Sequence, residues 1–505
     1  MMREKNREHY KKRRDKSGVK KDGRMQMKNN NNKGSVSIYI ILIFAVLLSF
    51  ILLIVEGARK NAIRLKTECA MDLSMSSALG EYNRELLEQY ELFFIDTSYG
   101  KKQASIDHTA EHIKGYLTDN FEASDQMSKD LLGLVAEQVL ITDYSLASDE
   151  NGALLKKQAV DYMKDLYGVS YAKEFKKQLD EVNEKGLFTL DVSAIQGASQ
   201  SEIDSYHLPK KKVTDKDGDH WEDVRLDNPA DAVNATRGII SLVLPAETEI
   251  STAAINPSNY LSGRNCNTGS GLAGRTALKS TDEPVFNEYI LKKSGNYAFP
   301  KDNSELKYEM EYILHGKSSD IDNLKATITQ LLFLREASNY IFLCASPQRC
   351  SEAEILADSV SLAALSPELK EPIKQTILCA WAYAESVYDV RKLLEGGKIP
   401  LMKDDESWHY SLDSMFGYAT DAMEEDLSAG AGMDYTDYLR LYLMLKDSEI
   451  KTKRFMNIVE MDVRRTTGNS YFRLDCCVDS IEAEALISST YGANYTISRS
   501  IAYSE

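Results

Sequence analysis

The sequence predicts a mainly helical α+β protein in which one long N-terminal helix carries an extracytoplasmic head. Three observations predict it. Gly34 to Val55 is an uncharged, apolar run of the roughly 20 residues needed to cross a ~30 Å hydrocarbon core. Beyond it the helical rhythm continues without proline as far as Tyr90. The remainder alternates long amphipathic stretches with a few short runs of strand character.

The run at 34–55 carries Ile, Leu, Val and Phe on every side, whereas a helix of a soluble core keeps a polar face. A cleaved signal peptide is the main rival. The run exceeds the usual 7–15 apolar residues and no small-x-small cleavage signal follows it, so a membrane span is the better reading. Its flanks set the orientation. Residues 1–33 hold 13 Lys/Arg against four acids, a formal +9, which leaves −25 of the total −16 for everything from Gly34 onward. Basic flanks stay in the cytoplasm. This predicts a single pass with the N-terminus inside and the head outside the cell membrane. Arg59, Lys60, Arg64 and Lys66 argue mildly the other way and are outweighed.

Along the chain, 1–33 reads as a basic cytoplasmic tail ending in Asn29 to Asn32, able to sit on anionic lipid. Residues 34–55 are the transmembrane helix. From 56 to 90, Ala62, Leu65, Cys69, Leu73, Leu79, Leu86 and Tyr90 recur at helical spacing with charges between them, an amphipathic stalk. Residues 91–185 form an α/β part: a strand over 91–96, a helix from about 103 to 117, a strand over 134–144 and helices within 153–183. Residues 186–304 hold Pro209, Pro229, Pro245, Pro257 and Pro284 among many Gly and Ser, and read as a loop-rich linker. The rest, 305–505, is mainly helical. A strand over 306–314 leads into helices near 320–343, 351–363, 367–395, 434–446 and 453–465, and strands at 471–478 and 495–503 close it.

Composition excludes some functions. An apolar content of 43% with 28 Tyr excludes a disordered stalk. The acidity of the head excludes a nucleic-acid partner, because nothing there would neutralise phosphates. The seven cysteines show no spacing of a disulfide framework or zinc site. Cys344 and Cys350 could close a small loop around Pro347, but buried thiols are the preferred reading.

Two stretches carry a resemblance. The segment from GSVSIYIILIFAVLLSFILLIVEGARK to ELFFID, residues 34–96, resembles the TadE/TadG-type pseudopilins of tight-adherence (Tad) pilus systems. The blocks YEMEYILHGKSSDIDNL (308–324), LREASNYIF (334–342), AWAYAESVYDVRKLLEGGKIPLMK (380–403) and DYLRLYLML (437–445) are similar to a family of unknown function seen with tight-adherence-like genes of Gram-positive bacteria. The resemblance implies a structural or assembly component of a pilus or secretion apparatus. Its partners would be the lipid bilayer and other components or further copies of itself. It implies no reaction and no cofactor. Pilin-like precursors resemble one another in a Gly at the cleavage site and a Glu five residues on. Gly34 and Ser35 supply a possible leader-processing site, but the fifth position is Tyr39, and Glu56 lies at the far end of the span.

Other motifs invite chemistry. His108, Glu111 and His112 fit H-x-x-E-H, in which two His one helical turn apart share a zinc and the Glu acts as base. That gives the alternative function, a metal-dependent extracytoplasmic hydrolase. Ile106, Ala110, Ile113 and Leu117 define the buried face of this helix, which turns the His pair to water, and no third ligand is identified. Gly269 to Thr276 contains G-x-G-x-x-G, but polar residues precede it where a strand is required. Asp215, Asp217 and Asp219 suggest a calcium loop that lacks the sixth-position Gly and twelfth-position Glu. No catalytic, cofactor or metal residues are therefore assigned. Arg335 falls on the apolar face of the helix at 320–343. On the apolar face of 367–395 lies Arg391, with Glu385 at its edge. These three are the expected buried charges, paired with carboxylates such as Glu336 or Asp389.

Overall fold

The computed structural model describes residues 32–122, 132–167, 180, 182–215, 218–244, 249–271, 279, 281–419, 432–492 and 494–503. In chain order they form α1 (Asn32–Leu79), α2 (Arg84–Tyr90), β1 (Ile95–Asp96), α3 (Ile106–Glu122), β2 (Leu134–Leu146), α4 (Asp149–Tyr167), α5 (Val192–Ser205), the hairpin β3 (Lys210–Asp215) and β4 (Gly218–Asp223), and α6 (Ala230–Asn234). Then follow α7 (Asp282–Lys293), α8 (Glu309–His315), α9 (Asp320–Ala345), α10 (Pro347–Ala363), α11 (Lys370–Leu394), α12 (Tyr435–Leu445), α13 (Ser448–Arg464), β5 (Cys477–Ser489) and β6 (Asn494–Ala502). The fold is α+β and mainly helical, as expected.

Two compact units divide within α1, Met1–Lys66 and Thr67–Glu505. In the first, the helix from Val36 onward contains a stretch long and apolar enough to cross a membrane, with none of it buried. The basic tail at 1–31 lies outside the described residues. Gly34 and Ser35 sit in the first turns of α1.

The second unit is the head. The expected single helix to Tyr90 is broken. α1 ends at Leu79, Tyr82 bridges to Ile95, and Asn83 restarts the chain by accepting the Leu86 N–H at 3.1 Å. Gly80 and Asn83 are stop and start signals in the sequence, masked there by the apolar rhythm running on past them.

β5 is the central strand. It pairs antiparallel with β2 on one side and with β1 and β6 on the other. Ile481, Ala483, Ala485 and Ile487 project to one face, where Ala70, Met71, Met75 and Ala78 of α1 and Ile113, Leu117 and Phe121 of α3 cover them. The expected strand at 471–478 is displaced: 474–476 is a 3-10 turn and the strand begins at Cys477. The Ala and Ser residues of β5 weaken its apolar alternation, which hid it. Of the expected strand at 91–96, only Ile95 and Asp96 pair.

The larger core is helical. It gathers Trp381, Ile377 and Val387 of α11, Leu324, Ile328 and Leu331 of α9, Tyr438 and Tyr442 of α12, and Phe455 and Val459 of α13. Residues 186–304 do not separate two cores. They place Leu187, Ile203, Ala230, Val243, Tyr260 and Phe286 into this one; Pro229 and Pro257 stand at the starts of short elements, and Pro284 lies in the first turn of α7.

Glu309 to Leu314 form helix α8 instead of the expected strand, and all six residues are buried. The apparent in–out alternation fails because its glutamates face inward too. Gly316, at φ 68°, ends α8 in the left-handed region open to glycine. A Cβ there would meet the Arg454 guanidinium, which donates to the Ile313 and Leu314 carbonyls at 2.9 and 2.8 Å.

Met71 is fully buried on the sheet, whereas Leu73 on the same helix is 57% exposed. Met71→Ala should destabilise the head by about 2–5 kcal/mol, read as a lowered denaturation midpoint. Leu73→Ala should leave that midpoint within error of the parent.

Candidate functional site

The densest polar chemistry lies between α9 and α11. Arg335 and Asn339 are one turn apart on α9, and Glu385 and Asp389 one turn apart on α11, so each pair shares a helix face. The packing of α9 on α11 brings the two faces together. Lys403 enters from the segment that follows the Gly396–Gly397 turn. All four charged side chains are fully buried.

Arg335 Nε donates to Asp389 Oδ2 at 3.0 Å. Its Nη1 donates to the Pro400 and Leu401 carbonyls at 3.0 and 2.8 Å and to the Tyr438 hydroxyl at 3.0 Å. Asn339 Nδ2 donates to Asp389 Oδ2 at 3.0 Å and to Ser386 Oγ at 3.1 Å. Lys403 Nζ lies 2.6 Å from Asp389 Oδ1 and also bonds Glu385. Glu385 accepts the His409 and Tyr410 N–H groups, each at 2.9 Å. Burial alone would raise the Asp389 carboxyl; Lys403 and Arg335 outweigh it and hold the group below the ordinary carboxylate range. Two cations face two carboxylates; Arg335 also donates to the Pro400 and Leu401 carbonyls, and Glu385 accepts from the His409 and Tyr410 N–H groups. This network fixes an irregular segment in place.

Of the residues singled out in the sequence, Arg335 and Glu385 lie in this network. Arg391 does not. It is half-buried and donates to the Leu242 and Tyr418 carbonyls, the latter at 3.0 Å, and its charge acts only against the burial of the half-buried Glu395. Lys403 was missed, although it ends one of the sequence blocks quoted above. Glu336 pairs instead with Arg237.

A second buried group sits on α8. Burial, then the nearby charge of Asp462, pushes the Glu309 carboxyl well up. Lys301 and the Tyr90 hydroxyl both bond Asp462, the latter at 2.6 Å. Burial also raises Glu311, to about 7, against the opposing hydrogen bonds from Tyr435 and the Tyr297 N–H. Beside this group a cavity of about 670 Å³ is lined by Lys293, Lys301, Arg440, Phe299 and Asp437. Three of its four cations sit in ion pairs: Lys293 with Glu91, Lys301 with Asp462, and Arg440 with Glu288 at 2.7 Å. A smaller cavity, about 500 Å³, is lined by Thr97, Tyr144, Cys266, Asn267 and Asp475. Next to it Arg264 forks onto Glu460 at 2.6 and 2.8 Å.

The zinc-like motif is placed otherwise than expected. His108 and His112 are half-buried rather than turned to water. His108 Nδ1 lies 3.0 Å from the Thr97 carbonyl. His112 Nδ1 lies 2.9 Å from both Glu81 oxygens, and its ring packs against Tyr99 at 4.2 Å. Tyr99 and Tyr116 donate to the same carboxylate at 3.0 and 2.6 Å. Glu81, just beyond α1, thus pins α3. Glu111 is exposed, and among the described residues no three His, Cys, Asp or Glu side chains gather to hold a metal ion.

At the glycine-rich loop, Gly269 donates to Asp149 at 3.0 Å and Ser270 Oγ accepts the Tyr144 N–H at 2.8 Å; residues 272–278 lie outside the described ones. Asp219 pairs with Lys212 across the β3–β4 hairpin, and 216–217 lie outside the description. All seven cysteines are free, and Cys69, Cys266 and Cys344 are exposed. The expectation of buried thiols therefore fails for Cys344, which lies in the last turn of α9.

Two variants test these groups. Lys403→Met leaves buried carboxylates uncompensated and should cost about 3–5 kcal/mol. Arg391→Ala, which strands no fully buried carboxylate, should cost less in the same melt. Glu311 is raised in the folded state, so its contribution is complete below its unfolded value and is lost as pH rises through about 7. That amounts to about 3 kcal/mol between pH 4.5 and 8. Glu311→Gln should flatten this part of the stability–pH curve. An unchanged curve would place the titration elsewhere.

No curated protein and no solved structure matches the chain. A family model does, over residues 219–489. These residues run from β4 to the end of β5 and include the Arg335–Lys403 network, the acids of α8 and the Arg264 fork. With more than half of its length matched, the chain belongs to the family of unknown function DUF5702.

Proposed function

We propose that the protein is a membrane-anchored, extracytoplasmic assembly component, pseudopilin-like, of a tight-adherence-type pilus or secretion apparatus, and that it works through protein contacts. The observation that carries this reading is α1. Its first half is apolar and exposed on all sides, with Ile38, Ile41, Phe44, Phe50 and Leu53 each more than half exposed. No water-soluble surface keeps such a face, and lipid is the solvent that accepts it. The end of the same helix lays Ala70, Met71, Met75 and Ala78 on an antiparallel sheet. That supports the resemblance of residues 34–96 to pseudopilins, in which a spanning helix continues into an extracytoplasmic head. The +9 tail supports an N-terminus in the cytoplasm. The Arg335–Lys403 network matches two cations to two carboxylates and binds them to backbone, which supports a structural part for it.

Protease added to intact protoplasts should degrade everything beyond the span. A protected fragment of about 50 kDa, the mass of some 450 residues, would overturn the orientation. Cross-linking in the native cells, followed by detergent extraction, should recover the chain with a secretion ATPase or its polytopic platform proteins. A chain recovered free of any such component would overturn the assembly reading.

A further inference from the structure

The two edges of the head sheet differ. β2 shifts register against β5 at three places and carries Glu137 and Asp143. Bulges and charges of this kind blunt an edge against pairing with another chain. β6 has neither protection. It pairs with β5 from Asn494 to Ala502 without a shift, contains no proline, and has a single charge, Arg499, already engaged by Asp72 at 2.8 Å. Its side chains alternate. Tyr495, Ile497, Arg499 and Ile501 are half-buried, with Ile497 and Ile501 against the cluster under α1 and α3. Thr496, Ser498 and Ser500 are exposed on the opposite face. Among the described residues, β5 is the one strand that pairs with it.

We propose that β6 is a docking edge, and that its occupant is β6 of a second copy of this chain, antiparallel about Ser498. The edge specifies its partner. With one cation that is already paired, it offers nothing to a charged strand. To extend both faces of the sheet, the incoming strand must place apolar residues on the helix-covered face and small hydroxyls on the other. β6 meets that description itself. With Ser498 opposite Ser498, Tyr495 meets Ile501 and Thr496 meets Ser500, an aromatic–β-branched pair and a hydroxyl pair that favour cross-strand contact. Arg499 then meets Ile497. Centring the pair one residue on would set guanidinium against guanidinium, which the same rule disfavours. The contact is isologous and closes at two copies. The inference rests on the reading that the head works through protein contacts, and names the chain itself as a partner.

The test uses the full chain in detergent. Directly opposed residues have Cβ atoms about 4.5–5.5 Å apart, within reach of a disulfide after slight adjustment. Under mild oxidation Ser498→Cys should give a cross-linked dimer well above the parent, whose exposed cysteines set the background. Thr496→Cys and Ser500→Cys should each stay at background alone and cross-link when mixed. Ser498→Lys, on the exposed face, should melt like the parent and raise the dimer dissociation constant at least tenfold in sedimentation. Cross-linking that ignores position, or a parent that sediments as a monomer at every concentration, would overturn the pairing. So would a Ser498→Cys chain that cross-links only to a different protein. The topology reading stands or falls separately: a protease-accessible head that is monomeric keeps the orientation and removes the self-pairing.

Discussion

Taking four charges out of water is the constraint around which the helical core is arranged. Each costs several kcal/mol to desolvate, and only mutual pairing with complete hydrogen bonding offsets that. Arg335 and Asp389 therefore fix how α9 meets α11. Lys403, with Glu385, fixes where the chain returns after α11, and Tyr438 joins α12 to the same point. An apolar core of similar volume would tolerate sliding of one helix on another. This one does not, because a shift of one turn strands a carboxylate. The hypothesis that such a network trades stability for a single packing arrangement fits the way it holds Pro400, Leu401, His409 and Tyr410 to α9 and α11.

The acids of α8 follow the opposite logic. Glu309 shares Lys301 with Asp462, at 4.0 Å, and Glu311 is met by hydroxyl and N–H donors; burial raises both carboxyls. The same helix that supplies these acids to the core is closed by Gly316 and Arg454 at its far end. Buried charge in these two groups is thus either matched by an opposite charge or opposed by burial, and most cations lining the larger cavity already sit in ion pairs.

Much of the architecture was legible, and the failures share a cause. The spanning segment follows from its uncharged apolar length, and α3, α9 to α13 and β6 from the helical or strand period of their apolar residues. Where burial is total the period vanishes. The glutamates of YEMEYIL passed for the outward residues of a strand because acids are assumed to face water. β5 was mistaken because Ala483 and Ala485, between Ile481 and Ile487, weaken the apolar signal of its helix-covered face. The 186–304 segment looked like a linker because short elements carry little periodic signal, even when they supply core residues. For the buried charges, helical phase was enough to find Arg335 and Glu385. Arg391 shares that phase but lies where α11 meets carbonyls. Lys403 lies in an irregular segment with no phase at all.

The position of β5 also governs the order in which the head can be completed. It is the strand to which β1, β2 and β6 all bond, yet it is drawn from residues 477–489, more than 300 positions after β2. A chain emerging N-terminus first will expose the sheet-facing sides of α1 and α3 until nearly all of it has been delivered. Such long-range closure is slow, and apolar surface held open during it invites aggregation. The short interval between β5 and β6 then matters: once the central strand arrives, its neighbour follows within a turn, and the last part of the sheet forms as a local hairpin. An arrangement of this kind prolongs the head's demand on chaperones until its C-terminal strands have been made.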